Sequence, residues 1–343
     1  MRELPARDFQ HVLDHARHVW DDYRDARIFI TGVTGFVGSW MLETVLHAER
    51  TLKLGLTVTA LVRDHDAFTA RFPHLAALPA LRLHVGDVRT VEPPTHAFSH
   101  FVHCASAATP QMNADRPEEV VDIIVNGSGR MIEAAEAGNE ARFLQVSSGA
   151  VYGPQPAALA QLRETYGARA SRDEPSQRFG WAKHQSELRG NASVSKGLGF
   201  VSARGFALIG PRLPLAGPFA IGNFLGDILA GRTVAIAGDG SPVRSWMHAA
   251  DLAVWNWTIL ARGRPGAAYN VGSEEALTLC DAAHRVAALA EPPVAVMRAT
   301  EPSPGAVTSR YVPSTELARD EMGLETWIPF GDALQRTWEW LRA

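Results

Sequence analysis

The sequence predicts an α/β protein, a doubly wound parallel sheet with a smaller C-terminal substrate-binding lobe. Three observations point there. Nearly continuous apolar runs alternate with helical segments between residues 26 and 205, and strands of that kind are buried on both faces, as in parallel sheets. Glycines 32, 35 and 38 fall between the first such run and the first helix. Beyond residue 205 the alternation breaks into Pro- and Gly-rich sequence such as "LIGPRLPLAGPFAIGNF", which does not suit another regular crossover.

Taken in order, Phe9, Val12, Leu13, Val19, Trp20 and Tyr23 recur at helical spacing. They predict an N-terminal helical extension over residues 1–25, packed on the main domain. Arg27 to Thr31 is a β-branched strand, and Trp40 to His47 has helical spacing. Further strands are predicted at 56–64, 81–87, 100–106, 142–148 and 199–205. The sheet domain therefore covers 26–205. Residues 206–343 mainly form the second lobe, with some segments returning to the sheet; its pieces include "TVAIAGDG", the helix "AADLAVWNWTILA", "AYNVGS" and a last helix near "WIPFGDALQRTWEWLRA".

Composition narrows the function classes. The 343 residues are 46% hydrophobic and 20% charged, with a formal net charge of -4, an ordinary globular balance. Neither sign forms a long block, so neither nucleic acid nor an anionic membrane is an expected partner. The opening "MRELPARDFQHVLDHARHVW" has no unbroken apolar run of a secretory signal, and a cytoplasmic protein is expected. Cys104 and Cys280 are expected to be free thiols, because Cys104 falls in a predicted buried strand.

The strand-to-helix turn carries the first chemistry. A helix N-terminus presents unpaired N–H groups and partial positive charge to phosphate, provided that no side chain blocks the approach. Gly32, Gly35 and Gly38 give that clearance, and with Thr34, Phe36 and Val37 they form the expected dinucleotide site. The end of the second strand reads Val62-Arg63-Asp64. Arg63 turned inward suits the 2'-phosphate of NADP, and Asp64 turned inward suits the ribose of NAD. Arg63 tips the expectation slightly to NADP.

Several motifs in order carry a resemblance: "TGVTGFVG" (31–38), "GD" (86–87), "SSGAVYG" (147–153), the lysine of "FGWAK", "GDGSPVRSWMHAADLA" (238–253) and "YNVGS" (269–273). From about residue 26 onward the chain resembles the extended short-chain dehydrogenase/reductases, and more closely their nucleotide-sugar epimerase/dehydratase branch. The resemblance implies a Rossmann-type cofactor domain, NAD or NADP held partly by Asp87 and Val88, and a nucleoside-diphosphate sugar under the C-terminal lobe. It implies oxidation or reduction at a sugar carbon, usually C4. Ser148 would hydrogen-bond the reacting oxygen, a tyrosine four residues before the lysine would exchange the proton, and Lys183 would hold the nicotinamide ribose and lower the tyrosine pKa. It also implies a homodimer built on helices at 112–137 and 180–196.

The tyrosine position holds Phe179. A phenol titrates near ~10 and needs neighbouring positive charge to act near neutrality, and a spacing of four puts both side chains on one helix face. Phe179 keeps the ring and has no proton to exchange. Three explanations stay open: a substitution made to trap substrate, a variant using another group (Tyr166, Ser147 or a bound water being nearest in the chain), or a protein that binds its ligands without turnover.

Residues Gly149 and Ala150 follow the serine, where the 4,6-dehydratases and decarboxylases of this branch carry one or two acids. Without those carboxyls, simple hydride and proton exchange is favoured, as 4-epimerase or 4-ketoreductase, with dehydratase or decarboxylase as the alternative. A non-catalytic nucleotide-sugar-binding protein is the alternative of another class. For the substrate diphosphate, Arg244 and Arg310 match family arginines, Asn223 is a candidate sugar or diphosphate contact or a loop cap, and Asn126 is chiefly structural. The histidines show no metal-ligand spacing; His103 and His248 are expected as hydrogen-bonding core or loop residues, and Trp246, Trp255 and Trp257 as packing.

Overall fold

In the computed structural model, which describes residues 1–92, 98–106, 112, 115–138, 140–302 and 308–343, the apolar runs become seven strands. They are β1 (Arg27–Thr31), β2 (Thr57–Val62), β3 (Leu81–Val85), β4 (His100–His103), β5 (Arg142–Ser148), β6 (Gly199–Gly205) and β7 (Ala268–Val271). They form one sheet in the order β7-β6-β5-β4-β1-β2-β3. The pairs β1–β2, β1–β4, β2–β3 and β4–β5 are all parallel. Strand order reverses between β1 and β4, and in such sheets ligands bind outside the carboxyl ends of the strands at that point.

The expected strands are present, with β1, β5 and β6 at their predicted limits. The ends of the others shorten: residues 63–64, 86–87 and 104–106 lie in the connections, which is where a site at the strand ends needs them. "AYNVGS", expected in the smaller lobe, instead supplies edge strand β7. Four residues carry too little pattern to show which sheet they join.

Helix α1 (Ala6–His15) opens the chain, α2 (Phe36–Leu52) follows β1, α3 (Pro117–Glu136) precedes β5, and α4 (Arg178–Ser193) precedes β6. The N-terminal extension departs from a single helix: α1 ends at His15 and a separate 3-10 turn covers Trp20–Tyr23. All six residues of the predicted stripe are nevertheless buried. The break lets Tyr23 reach the core, where its hydroxyl donates to the Trp257 carbonyl at 2.6 Å and the Trp257 indole donates to Thr44 Oγ1 at 3.1 Å.

Helix α3 starts at Pro117, later than expected, because proline suits the first helical position; residues 113 and 114 lie outside those described. Helices α3 and α4 pack together, and the Ser186 hydroxyl donates to the Ile124 carbonyl at 3.2 Å. Beneath the sheet Phe29, Phe101, Phe143 and Phe200 form the aromatic centre of the core with Met131 and Ile132 of α3.

Two compact units result. The first comprises 1–151, 169–204 and 253–269, and the second 152–168, 205–252 and 270–343. The helix α5 (Ala249–Arg262) thus gives its residues from 253 onward to the sheet unit, where Trp255 and Trp257 are fully buried. Residues 152–168 go to the second unit, against the expected limits of 26–205 for the sheet domain. In that unit Trp246 stacks on Phe330 with ring centroids 5.1 Å apart. Both cysteines are free, and no helix among the described residues is long and apolar enough to cross a membrane.

Candidate active site

The turn from β1 to α2 is built for backbone approach. Gly32 has φ +71, a left-handed conformation that L side chains rarely adopt, and an added Cβ would lie 2.6 Å from the Cys104–Ala105 backbone. A Cβ on Gly38 would come within 2.1 Å of the Gly32 carbonyl oxygen. Gly35 is the N-cap of α2, half-buried Thr34 precedes it, and Phe36 and Val37 are the first residues of the helix. The opening amides of a helix have no intrahelical partner. This cradle, which side chains would fill, fits the pyrophosphate of a dinucleotide.

Below the turn, Thr31 is fixed by two contacts. Its Oγ1 lies 2.8 Å from His103 Nδ1 and accepts from the Ala105 amide at 3.2 Å. Burial, helped by Lys183, pushes His103 down to about 3, so it is a neutral core hydrogen-bonder. His248 is likewise buried, and its Nδ1 accepts from the Ala250 amide at 3.1 Å. Among the described residues no cluster of three metal-ligating side chains occurs.

At the end of β2 the two candidates separate. The Asp64 carboxylate accepts from the Ala67 amide at 2.9 Å as N-cap of the short helix His65–Arg71, while Arg63 is exposed. After β3, Asp87 faces Arg89 at 2.7 Å, and Arg89 reaches Asp122 on α3 at 3.1 Å. The Arg89 guanidinium holds the Asp87 carboxyl down at about 2. Asp87, Arg89, Thr90, Asp122 and Asn126 line a cavity of about 540 Å³. Val88 is buried, and the Asn126 amide donates to Asp122, a structural contact.

Ser148 ends β5, and its Oγ accepts from the Ala150 amide at 3.1 Å. Helix α4 comes close here because it has no side chain at 180: a Cβ on Gly180 would lie 2.1 Å from the Ala150 carbonyl oxygen. That approach brings Phe179 and Lys183 to the end of β5. Phe179 packs against Val120, Val121, Ile124 and Ala182. Lys183 is 3% exposed, donates to the Val146 carbonyl at 2.8 Å, and holds Nζ 5.9 Å from the Phe179 ring centroid. Burial pushes its pKa down to about 8, against Cys104 and Glu187, which raise it.

Behind this group lies a buried network that the sequence analysis missed. Glu187 accepts from Ser147 Oγ at 2.6 Å, and from Arg204 on β6 at 3.0 and 2.7 Å. Burial raises the Glu187 carboxyl, but facing His184, Arg204 and Ser147 outweigh it and hold it at about 2. The signal was available: Lys183 and Glu187 stand four apart on one helix face. Ser147, one of the candidate substitutes for the missing hydroxyl, is taken up by this network. Tyr166, the other, belongs to the second unit and lies beside Tyr152, ring centroids 6.2 Å apart.

The second unit carries the expected diphosphate residues. Half-buried Arg244 donates to the Val243 and Ser309 carbonyls at 2.9 and 3.3 Å; burial lowers its pKa, partly offset by Tyr311. Arg310–Tyr311 pairs in parallel with Val243–Arg244, with Arg310 opposite Val243. The two arginines are therefore on adjacent strands, one position out of register. Arg310 donates to the Ala160 carbonyl at 3.4 Å, and its buried Nε has no partner among the described residues. Asn223 donates to the Gly217 carbonyl at 2.9 Å, a loop cap.

The model of the NAD dependent epimerase/dehydratase family matches residues 28–272. The chain belongs to that family. A dTDP-glucose 4,6-dehydratase of Streptomyces niveus is 26% identical over 329 residues, covering 92% of this chain and 93% of that one. UDP-glucuronic acid decarboxylase 1 of Arabidopsis thaliana is 26% identical over 314 residues, 90% of this chain and 68% of the relative. In fold, the chain is similar to the UDP-glucose 4-epimerase of Thermotoga maritima solved with UDP-glucose, with TM-score 0.76, 19% identity and 92% and 98% of the two chains covered. Membership fixes an NAD-dependent epimerase/dehydratase family, and the parallel sheet described above is of the kind found in the solved structure it resembles.

Proposed function

We propose that this protein transfers hydride at the C4 carbon of a nucleoside-diphosphate sugar, as a 4-epimerase or a 4-ketoreductase. The observation that carries this is the stretch after Ser148. Gly149 and Ala150 supply no carboxyl group, and the buried carboxylate that bonds the neighbouring Ser147, Glu187, is also held by Arg204. Elimination of water across C5 and C6 needs an acid and a base in addition to hydride transfer. Hydride exchange at C4 alone does not.

In this reading Gly32, Thr34, Gly35, Phe36 and Val37 hold the pyrophosphate and Asp87 and Val88 line the adenosine end. A bound nicotinamide supplies a reversible hydride acceptor. Ser148 orients the reacting oxygen and Lys183 binds the nicotinamide ribose. Arg244 and Arg310 neutralise the sugar-nucleotide diphosphate, and Asn223 is a further candidate contact to the sugar or diphosphate. Exposed Arg63, next to an Asp64 already engaged as a helix cap, supports NADP. The second reading, a 4,6-dehydratase or decarboxylase, is favoured by the relatives at 26% identity. Incubation with a panel of uridine, thymidine, guanosine and cytidine diphosphate sugars, and with 4-keto sugar nucleotides plus reduced nicotinamide, read by the nicotinamide absorbance and by NMR of the product, tests it. Hexose inversion or reduction at C4 supports the proposal, and a 4-keto-6-deoxy or decarboxylated sugar overturns it.

A further inference from the structure

Phe179 has no proton to exchange, so if this chain turns over, another group near the end of β5 has to handle the proton. Among the described residues around the end of β5, most candidates are unavailable. Ser147 is committed to Glu187 and Glu187 to Arg204. At the end of β4, burial pushes the Cys104 thiol up to about 12, partly offset by Lys183, and holds His103 at about 3, with Nδ1 against Thr31. Neither changes charge near neutrality.

Lys183 differs from all of these. It is buried, its Nζ donates to one neutral acceptor, the Val146 carbonyl, and no carboxylate pairs with it among the described residues. The groups facing it are the neutral His103 of β4 and Cys104 just after it, the Phe179 ring on its own helix, and Glu187 one turn on, whose charge Arg204 of β6 neutralises. An ammonium in such surroundings is poorly solvated and gives up its proton readily.

We propose that Lys183 itself takes up and returns the proton of the reacting sugar hydroxyl, the task a phenol at position 179 would have had. The inference deepens the hydride-transfer reading and rests on it. In the oxidative direction the neutral amine accepts the hydroxyl proton and becomes ammonium, the carbon gives its hydride to the nicotinamide, and the C–O bond becomes a carbonyl. In the reductive direction the ammonium returns the proton as hydride arrives at the carbon. With burial bringing Lys183 to about 8, both forms are populated in the working range, which suits a group that must serve in both directions. Oxidation should accelerate as pH rises through about 8, and reduction should slow.

The test uses a convenience of this chain: it has three lysines, Lys53, Lys183 and Lys196. In protein grown with isotope-labelled lysine, the side-chain resonance that survives in K53R/K196R is that of Lys183, and no change at the site is needed. It is expected to titrate near 8; a Lys183 that stays an ammonium to the end of the ordinary lysine range overturns the inference. Transient hydride transfer is then followed against pH. The chain should show a limb near 8, while K183R, which keeps the charge, should lose on the order of 10²-fold or more and the limb with it, with cofactor still bound. Hydride transfer in K183R with the limb intact overturns the role of Lys183 alone. Absence of hydride transfer with every sugar nucleotide, in this chain and in F179Y, brings down the hydride-transfer reading and the inference together.

Discussion

At position 179 the chain carries an aromatic ring with no proton to exchange. The phenylalanine ring keeps the packing with Val120, Val121 and Ile124 that a tyrosine would make, so α4 still delivers Lys183 to the end of β5. The residue behind it matters for stability. Replacing Glu187 by Gln leaves the Arg204 guanidinium, 5% exposed, without its counter-charge; breaking a buried pair in this way costs about 3–5 kcal/mol, to be read from denaturant unfolding. Because the folded-state carboxyl of Glu187 lies at about 2, below its unfolded value, its contribution is present above the ordinary carboxylate range and is lost as pH falls towards 2. That acid-side loss should be smaller in E187Q. Arg63→Ala should weaken NADP binding on the order of tenfold and leave NAD nearly unchanged, since one charge-assisted contact to a 2'-phosphate is removed; equal losses for both cofactors would remove Arg63 from that role.

At the scale of elements, the turn from β1 to α2 and the extension before it make separate predictions. Gly38→Ala places a methyl group 2.1 Å from the Gly32 carbonyl oxygen, so α2 must shift from the end of β1. Dinucleotide affinity should drop more than tenfold, measured by fluorescence titration, because the amides and the glycine cradle move together. In the extension, Tyr23→Phe removes the hydroxyl that donates to the Trp257 carbonyl and should cost about 0.5–1.5 kcal/mol, seen as a lowered Tm. The strands β1, β5 and β6 and the glycine turn were legible in the sequence, because burial on both faces and backbone clearance each leave a local pattern. The break after α1 was not, since Val19, Trp20 and Tyr23 keep helical spacing while the backbone between His15 and Trp20 turns. Nor was β7, whose four residues declare burial but not a partner. Ser148, Phe179 and Lys183 could be named because motif spacing survives in the chain; the Glu187–Arg204–Ser147 network joins three elements, and such a network exists only once they pack.

For the whole molecule, membership of the epimerase/dehydratase family fixes the kind of cofactor, and in the proposed reading the outcome of the reaction is left to a few side chains. Relatives at 26% identity are a dehydratase and a decarboxylase, and the segment after Ser148 carries no acid that would direct this chain along either course. These outcomes differ at one hydrogen. Elimination across C5 and C6 releases the C5 proton to solvent, whereas exchange at C4 leaves C5 untouched. The most direct measurement is therefore turnover in deuterium oxide of a nucleoside-diphosphate hexose and, with reduced nicotinamide, of a 4-keto sugar nucleotide, with the products examined by NMR and mass spectrometry. A C4-inverted or C4-reduced hexose with protium retained at C5 is the predicted result; a 4-keto-6-deoxy sugar with deuterium at C5 would contradict it.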